Sequence, residues 1–205
     1  MRTLLLSIPV LFLLGTARAD EGAMTKAERS YLLTQLRTSK TALLASIKGL
    51  TVAQWTFKPA PEVWSVEECV EHLILTEDLL FSSAGKTMAT PAVARLQNAN
   101  AEGDRKIVAQ VEDRSVKGKA PAAIEPTGRF PTPFSAAQEF TILRDRSIAF
   151  VKTTKEALRI HSGPGPAAAT ADAYQILLVM AAHSARHTAQ IREVEASFKQ
   201  NGVSE

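Results

Sequence analysis

Cysteine is almost absent from this chain: Cys69 is the only one among 205 residues. An intramolecular disulfide is therefore excluded, and stability has to come from packing, with or without a bound metal. Aromatics are few, at 6% of residues, and no Lys/Arg patch is interleaved with them. That leaves nucleic-acid binding without support. Long hydrophobic runs are missing too. The longest, Leu4 to Leu14, is interrupted by Pro9 and is too short to span a bilayer comfortably. It follows Arg2 and precedes Ala17-Arg18-Ala19, an A-x-A cleavage pattern. Residues 1–19 thus read as a signal peptide and residues 20–205 as the mature domain. The expected location is periplasmic or secreted, with no stable membrane span after cleavage. The formal net charge of +3 falls to +1 without Arg2 and Arg18, so the basic balance says little about partners.

What is present is helical periodicity. Residues 25 to 48 carry Leu32, Leu36, Leu43 and Ile47 at helical spacing, and Gly49 stops them. Residues 50 to 64 read as a loop. Ser65 with Glu68 forms a capping-box signature before a second helix ending near Gly85. Ala92 to Val116 carries a weak third stripe. A Gly/Pro-rich crossover follows, read as either one wall of a pocket or a simple return of the chain. Ser135 with Gln138 reads as the cap of a helix reaching Leu158, with His161 near its end. Gly163 to Pro166 break it, and a last helix covers Asp172 to Gln200. Long amphipathic helices without a convincing strand predict an all-α four-helix bundle with a long irregular crossover between its second and third helices.

The most informative residues are His183 and His187, four apart on the last helix. They share a face with Ile176, Met180, Ile191, Val194 and Phe198. Two imidazoles on a stripe that otherwise reads as core need partners for their nitrogens. Two explanations fit: hydrogen-bonded core histidines, or ligands of one divalent metal. His72, near the middle of the second helix, is the candidate third ligand. Three histidines leave coordination positions open, the pattern of a catalytic rather than a closed structural site. Ser184 stands where a zincin has its glutamate, and no Glu-x-x-His pair of the di-iron kind is present. No residue commits to the role of general base.

Around these histidines each neighbour has a bland and a functional reading. Glu68 caps the helix or acts on substrate. Glu71 is by default a solvated surface residue. Gln190 orients a ligand or hydrogen-bonds between helices. Arg186 makes a salt bridge or meets an anionic substrate. Cys69 is a buried apolar thiol or a fourth ligand. Trp55, Phe57 and Trp64 cap one end of the bundle.

The stretch GLTVAQWTFKPAPEVWSVEECVEHL, residues 49 to 73, resembles the DinB-like (YfiT-like) family of metalloenzymes. The matching positions are Trp64, Ser65, Glu68, His72 and Leu73 on the second helix, and His183, Arg186, His187, Gln190 and Ile191 on the last. LRDRSIAFV, residues 143 to 151, also looks like the family's pattern. The resemblance implies an up-down-down-up bundle with a divalent metal on His72, His183 and His187, zinc or nickel first, manganese or iron as further options. It implies a metal-dependent hydrolase or a thiol transferase acting on a small molecule. Relatives include bacillithiol- and mycothiol-dependent transferases, a thiol-dependent isomerase and domains of ergothioneine-synthesis enzymes. A non-catalytic bundle that holds a metal or ligand is the alternative. Several members are homodimers, so a homodimer is an open expectation. Those thiols are cytosolic, whereas this chain reads as exported.

Overall fold

The computed structural model describes residues 22–116 and 118–201, so the signal peptide expected over residues 1–19 lies outside the described residues. Helix α1, Lys26–Ile47, starts at Thr25, which shares a reciprocal capping box with Glu28. It buries Leu32, Leu36, Leu43 and Ile47 on one stripe. It stops at Gly49, whose φ of 74° lies in the left-handed region that ends helices.

The next segment, expected as loop, contains a short helix, α2, Val52–Thr56. Thr51 and Gln54 form its capping box, but five residues are too few for a helical period to show in the sequence. It buries Trp55, whose indole Nε1–H donates to the Phe130 carbonyl at 2.9 Å.

Helix α3, Val66–Met88, begins as the Ser65–Glu68 box predicts, with Glu68 N–H donating to Ser65 Oγ at 3.1 Å and Ser65 N–H to Glu68 Oε2 at 2.7 Å. It runs past Gly85, which keeps helical geometry and so does not act as a stop. Ser65→Ala is expected to cost about 1 kcal/mol of unfolding free energy, measured in urea.

Helix α4 is Ala101–Glu112, shorter at both ends than the expected Ala92 to Val116. Asn100 sets its start by accepting from the Glu102 and Gly103 amides, each at 3.0 Å. A single 3-10 turn, Ala122–Ile124, lies in the crossover. Helix α5, Pro133–Thr153, is capped by Thr132 rather than Ser135. Pro133 occupies the first turn, where its missing N–H is no loss, and the Ser135 amide is the one that the Thr132 side chain caps. The chain turns extended at Thr154, so Leu158 and His161 lie beyond the helix.

A small antiparallel hairpin that the sequence did not announce follows: β1, Ser162–Pro164, pairs with β2, Thr170–Asp172, with Gly163 opposite Ala171. His161 leads into it and its Nδ1 lies 2.7 Å from the Thr90 carbonyl. Asp172 then caps helix α6, Ala173–Gln200.

Helix α6 packs on α1, α3 and α4, and α5 packs on α1 and α3, which places α1 diagonally across from α3. One apolar cluster joins Leu43 and Ile47 from the end of α1 with Val66, Cys69 and Val70 from the start of α3. The same cluster takes Ala136 and Phe140 from the start of α5 and Ile191 and Val194 from the latter part of α6. The bundle therefore runs up-down-down-up. A second cluster at the opposite end contains Leu32, Leu36, Leu80, Ala84, Leu158, Tyr174 and Leu177. No described helix is long and apolar enough to cross a membrane.

Two fully buried arginines tie the helices together. Arg144 on α5 donates to Glu77 on α3 through Nε at 3.0 Å and through Nη2, to the Leu36 carbonyl at 2.8 Å, to Ser39 Oγ at 2.6 Å and to Ser184 Oγ at 2.7 Å. The guanidinium's donor set is thereby used up. Arg159, between α5 and the hairpin, meets Glu28, Asp104 and Asp172 and lies 4.0 Å from the centre of the Tyr174 ring.

Candidate metal centre

His183 and His187 point inward from α6 because they share its buried stripe with Ile191 and Val194. Helix α3 runs antiparallel beside it and brings His72 to the same level. The ligand atoms of the three rings all lie within 4.8 Å of one another. His183 Nε2 stands 3.3 Å from His72 Nε2 and 3.2 Å from His187 Nε2. Two nitrogens bound at 2.0–2.1 Å to one tetrahedral ion stand ~3.3 Å apart, so this spacing suits a shared cation. His72 and His187 are buried, and His183 is half-buried.

The outer nitrogens fix two of the three tautomers. His72 Nδ1 lies 2.8 Å from the Ile124 carbonyl, which can only accept, so Nδ1 carries the proton and Nε2 is a bare lone pair. His187 Nδ1 lies 2.9 Å from Gln190 Oε1. That atom also accepts from Arg114 Nη1 at 3.3 Å, which identifies it as oxygen and again leaves Nε2 bare. His183 Nε2 sits between these two lone pairs. Its single proton, if placed there, satisfies only one of them, so at least one short N···N contact sets lone pair against lone pair. Among the described residues, buried His183 Nδ1 has no hydrogen-bond partner. A cation within the cluster removes the conflict, with His183 then protonated on Nδ1.

The electrostatics agree. Burial, reinforced by repulsion from His72 and Arg186, pushes His183 down to about 3. Burial, with repulsion from His183 and His72, pushes His187 down to about 2. Burial also lowers His72, against the opposing pull of its bond to Ile124. All three rings are neutral at pH 7, the form in which an imidazole can bind a metal.

The surroundings sort the other sequence candidates. Gln190 orients His187. Cys69 lies in the apolar cluster outside the histidine group, and burial pushes its thiol well above the usual range, so it is an inert core residue. Glu68 is the helix cap and pairs with Lys58 at 2.9 Å. Among the described residues Arg186 makes no salt bridge: its guanidinium donates to the Val111, Asp113 and Val116 carbonyls and so closes the end of α4. Trp64 does more than cap the bundle. Its ring centre is 4.9 Å from that of His72 and 6.1 Å, near parallel, from that of His187, forming an apolar wall of the cluster.

Glu71 requires correction. It is fully buried rather than solvated, because the crossover folds over this face of α3. Its carboxylate accepts from the amides of Thr127 at 2.9 Å, Gly128 at 2.7 Å and Arg129 at 3.0 Å, and from Thr127 Oγ1 at 3.1 Å. Burial raises its pKa, but these bonds outweigh burial and hold it below the usual carboxylate range. The crossover thus lies against α3 beside the cluster, with the Ile124 carbonyl on His72 and residues 127–129 on Glu71.

Known proteins share this arrangement of helices. YfiT from Bacillus subtilis, whose structure is described as that of a probable metal-dependent hydrolase with an unusual four-helix bundle topology, superposes with a TM-score of 0.56 at 14% identity. The match covers 89% of this chain and 92% of YfiT. The uncharacterized protein YuaE of Bacillus subtilis (strain 168) is 25% identical over 153 residues, 75% of this chain and 90% of YuaE. The sequence profile of the DinB superfamily matches residues 35–191, a span that runs from within α1 through all three histidines. The chain belongs to the DinB superfamily.

Proposed function

We propose that this protein is an exported, divalent-metal-dependent hydrolase of a small molecule, with the metal held by His72, His183 and His187. The observation that carries the reading is the convergence of three Nε2 atoms, at least two of them bare, at a spacing that suits one cation. The description of YfiT as a probable metal-dependent hydrolase supports the reaction class. When bound, a divalent ion on three imidazoles supplies Lewis acidity and lowers the pKa of water or a thiol entering an open position. The protein's own residues orient and exclude. Ile124 and Gln190 hold His72 and His187 with Nε2 inward, and Trp64 keeps water from one side.

Zinc and nickel head the candidates, followed by manganese and iron. The test is turnover by metal-stripped protein reloaded with each ion, on ester, amide and electrophile panels with and without a low-molecular-weight thiol. Turnover that follows one ion and vanishes in His187→Ala supports the proposal, and a thiol requirement moves it to transfer. No turnover on any panel favours a non-catalytic metal-holding bundle. That second reading has one observation behind it: among the described residues, no acid joins the cluster as a base.

The depressed imidazoles give a pH signature. In the unfolded chain a histidine titrates near 6.5. In the folded, metal-free protein His183 and His187 stay neutral down to about 3 and about 2. The unfolded state therefore binds more protons as pH falls below about 6.5, and folding stability declines from there toward the folded-state values. Metal-free protein is expected to melt progressively lower between pH 7 and pH 4, as read by calorimetry. The double variant His183→Ala/His187→Ala should lose less over the same range, and an equal loss contradicts the assignment.

A further inference from the structure

Glu71 and His72 are consecutive on α3, and both grip the same stretch of crossover. His72 holds the Ile124 carbonyl at 2.8 Å, and Glu71 holds the amides of Thr127, Gly128 and Arg129. Those successive N–H groups form a small anion cradle. Its shape depends on Gly128, whose φ of 83° turns the chain so that its own amide and the two flanking it face one carboxylate. Two residues further on, Trp55 fixes the Phe130 carbonyl. The segment 124–130 has no helix or strand of its own beyond the end of the 3-10 turn. Side chains from the bundle set its position.

The Ile124 carbonyl is the group that keeps His72 Nδ1 protonated and its ring oriented. Metal-bound histidines depend on such outer contacts for affinity. A carbonyl on an irregular segment is only as well placed as the segment's anchors, and the strongest of these is the buried Glu71 carboxylate.

We infer that Glu71 is a positioning residue of the metal centre: by clamping residues 127–129 it places the Ile124 carbonyl that aims His72 at the ion. The inference rests on the metal reading above and adds a linkage to it. An anchored crossover favours metal binding, and bound metal, by fixing His72, holds the crossover down in return.

The experiment uses the full chain with zinc for affinity, cobalt(II) for the visible ligand-field spectrum, and trypsin for the crossover, which exposes Lys119 and Arg129. Wild type is expected to bind one zinc and to be cut more slowly in the crossover with zinc than without. Glu71→Gln should bind zinc about 10–100-fold more weakly, show an altered cobalt spectrum and be cut faster, zinc protecting it less. Gly128→Ala attacks the cradle from the other side; there is open space for its Cβ, so only the backbone is perturbed. It should reproduce the effect in smaller degree and serves if Glu71→Gln does not fold. Val151→Ala, at the far end of the bundle, controls for general destabilisation and should keep wild-type zinc affinity.

A folded Glu71→Gln or Gly128→Ala with unchanged affinity, spectrum and cleavage overturns the positioning role and leaves the metal site standing. Equal weakening in Val151→Ala overturns it as well, by reducing the effect to stability. A wild type that binds no zinc or cobalt overturns the functional reading and the linkage together.

Discussion

Arg144→Ala is expected to destabilise the protein by about 3–5 kcal/mol, the largest effect of any single substitution considered. The reason is what it leaves behind. Glu77 is 2% exposed and takes both strong bonds from Arg144, so the truncated site strands a carboxylate in the core. The Leu36 carbonyl, Ser39 and Ser184 lose a donor at the same time, and Phe140 loses the cation 5.1 Å from its ring centre. Folded domains are stable by only about 5–15 kcal/mol, so such a loss is a large fraction of the total. Urea unfolding measures it. The double variant Arg144→Met/Glu77→Leu should recover most of the loss, since a buried ion pair replaced by apolar groups of similar size is often close to neutral. A single variant within ~1 kcal/mol of wild type contradicts the account of the network, given that surface changes rarely exceed ±0.5 kcal/mol. The network also bears on the site. Ser184 follows His183 on α6, so Arg144 ties the helix that carries His183 and His187 to α3 and α5.

Removing one ligand is expected to lower metal affinity by more than about 100-fold, because losing only an outer partner already costs about 10–100-fold. The three variants should differ in their metal-free stability. His183→Ala discards a ring whose Nδ1 has no hydrogen-bond partner among the described residues, so it should cost least. His72→Ala releases the Ile124 carbonyl and one anchor of the crossover, so it should cost most. His187→Ala frees Gln190, which keeps Arg114 as a partner, and should fall between. Thermal melts with and without zinc read both quantities: at one fixed zinc concentration the zinc-dependent rise in Tm shrinks in all three, while the metal-free values follow that order. A rise equal to that of wild type in any variant shows that its histidine is not a ligand.

The bundle was legible because its helices announce themselves locally. Leu32, Leu36, Leu43 and Ile47 repeat at helical spacing, and Ser65 with Glu68 marks the start of α3 to the residue. The histidines were legible for a related reason. His183 and His187 share one face of one helix, and the histidine motifs of α3 and α6 carry the family resemblance. What stayed hidden depends on contacts distant in sequence. Glu71 reads as surface on its own helix, and only the crossover, more than fifty residues away, turns it inward. Arg159 gathers Glu28, Asp104 and Asp172 from separate elements with no spacing rule to reveal them. The Ser135 cap was a plausible local signal that lost to a better one, since Thr132 followed by Pro133 fits the first turn more closely. The hairpin at 162–172 is held by only three facing residue pairs, too few for a period to show.

The central claim is that His72, His183 and His187 hold one divalent ion. Calorimetric titration of zinc and nickel into the metal-stripped full chain tests it most directly, with the triple variant His72→Ala/His183→Ala/His187→Ala alongside. The account predicts one site per chain in wild type, a higher Tm on saturation, and neither effect in the triple variant. Wild type that takes up neither ion and melts identically with and without them would contradict it.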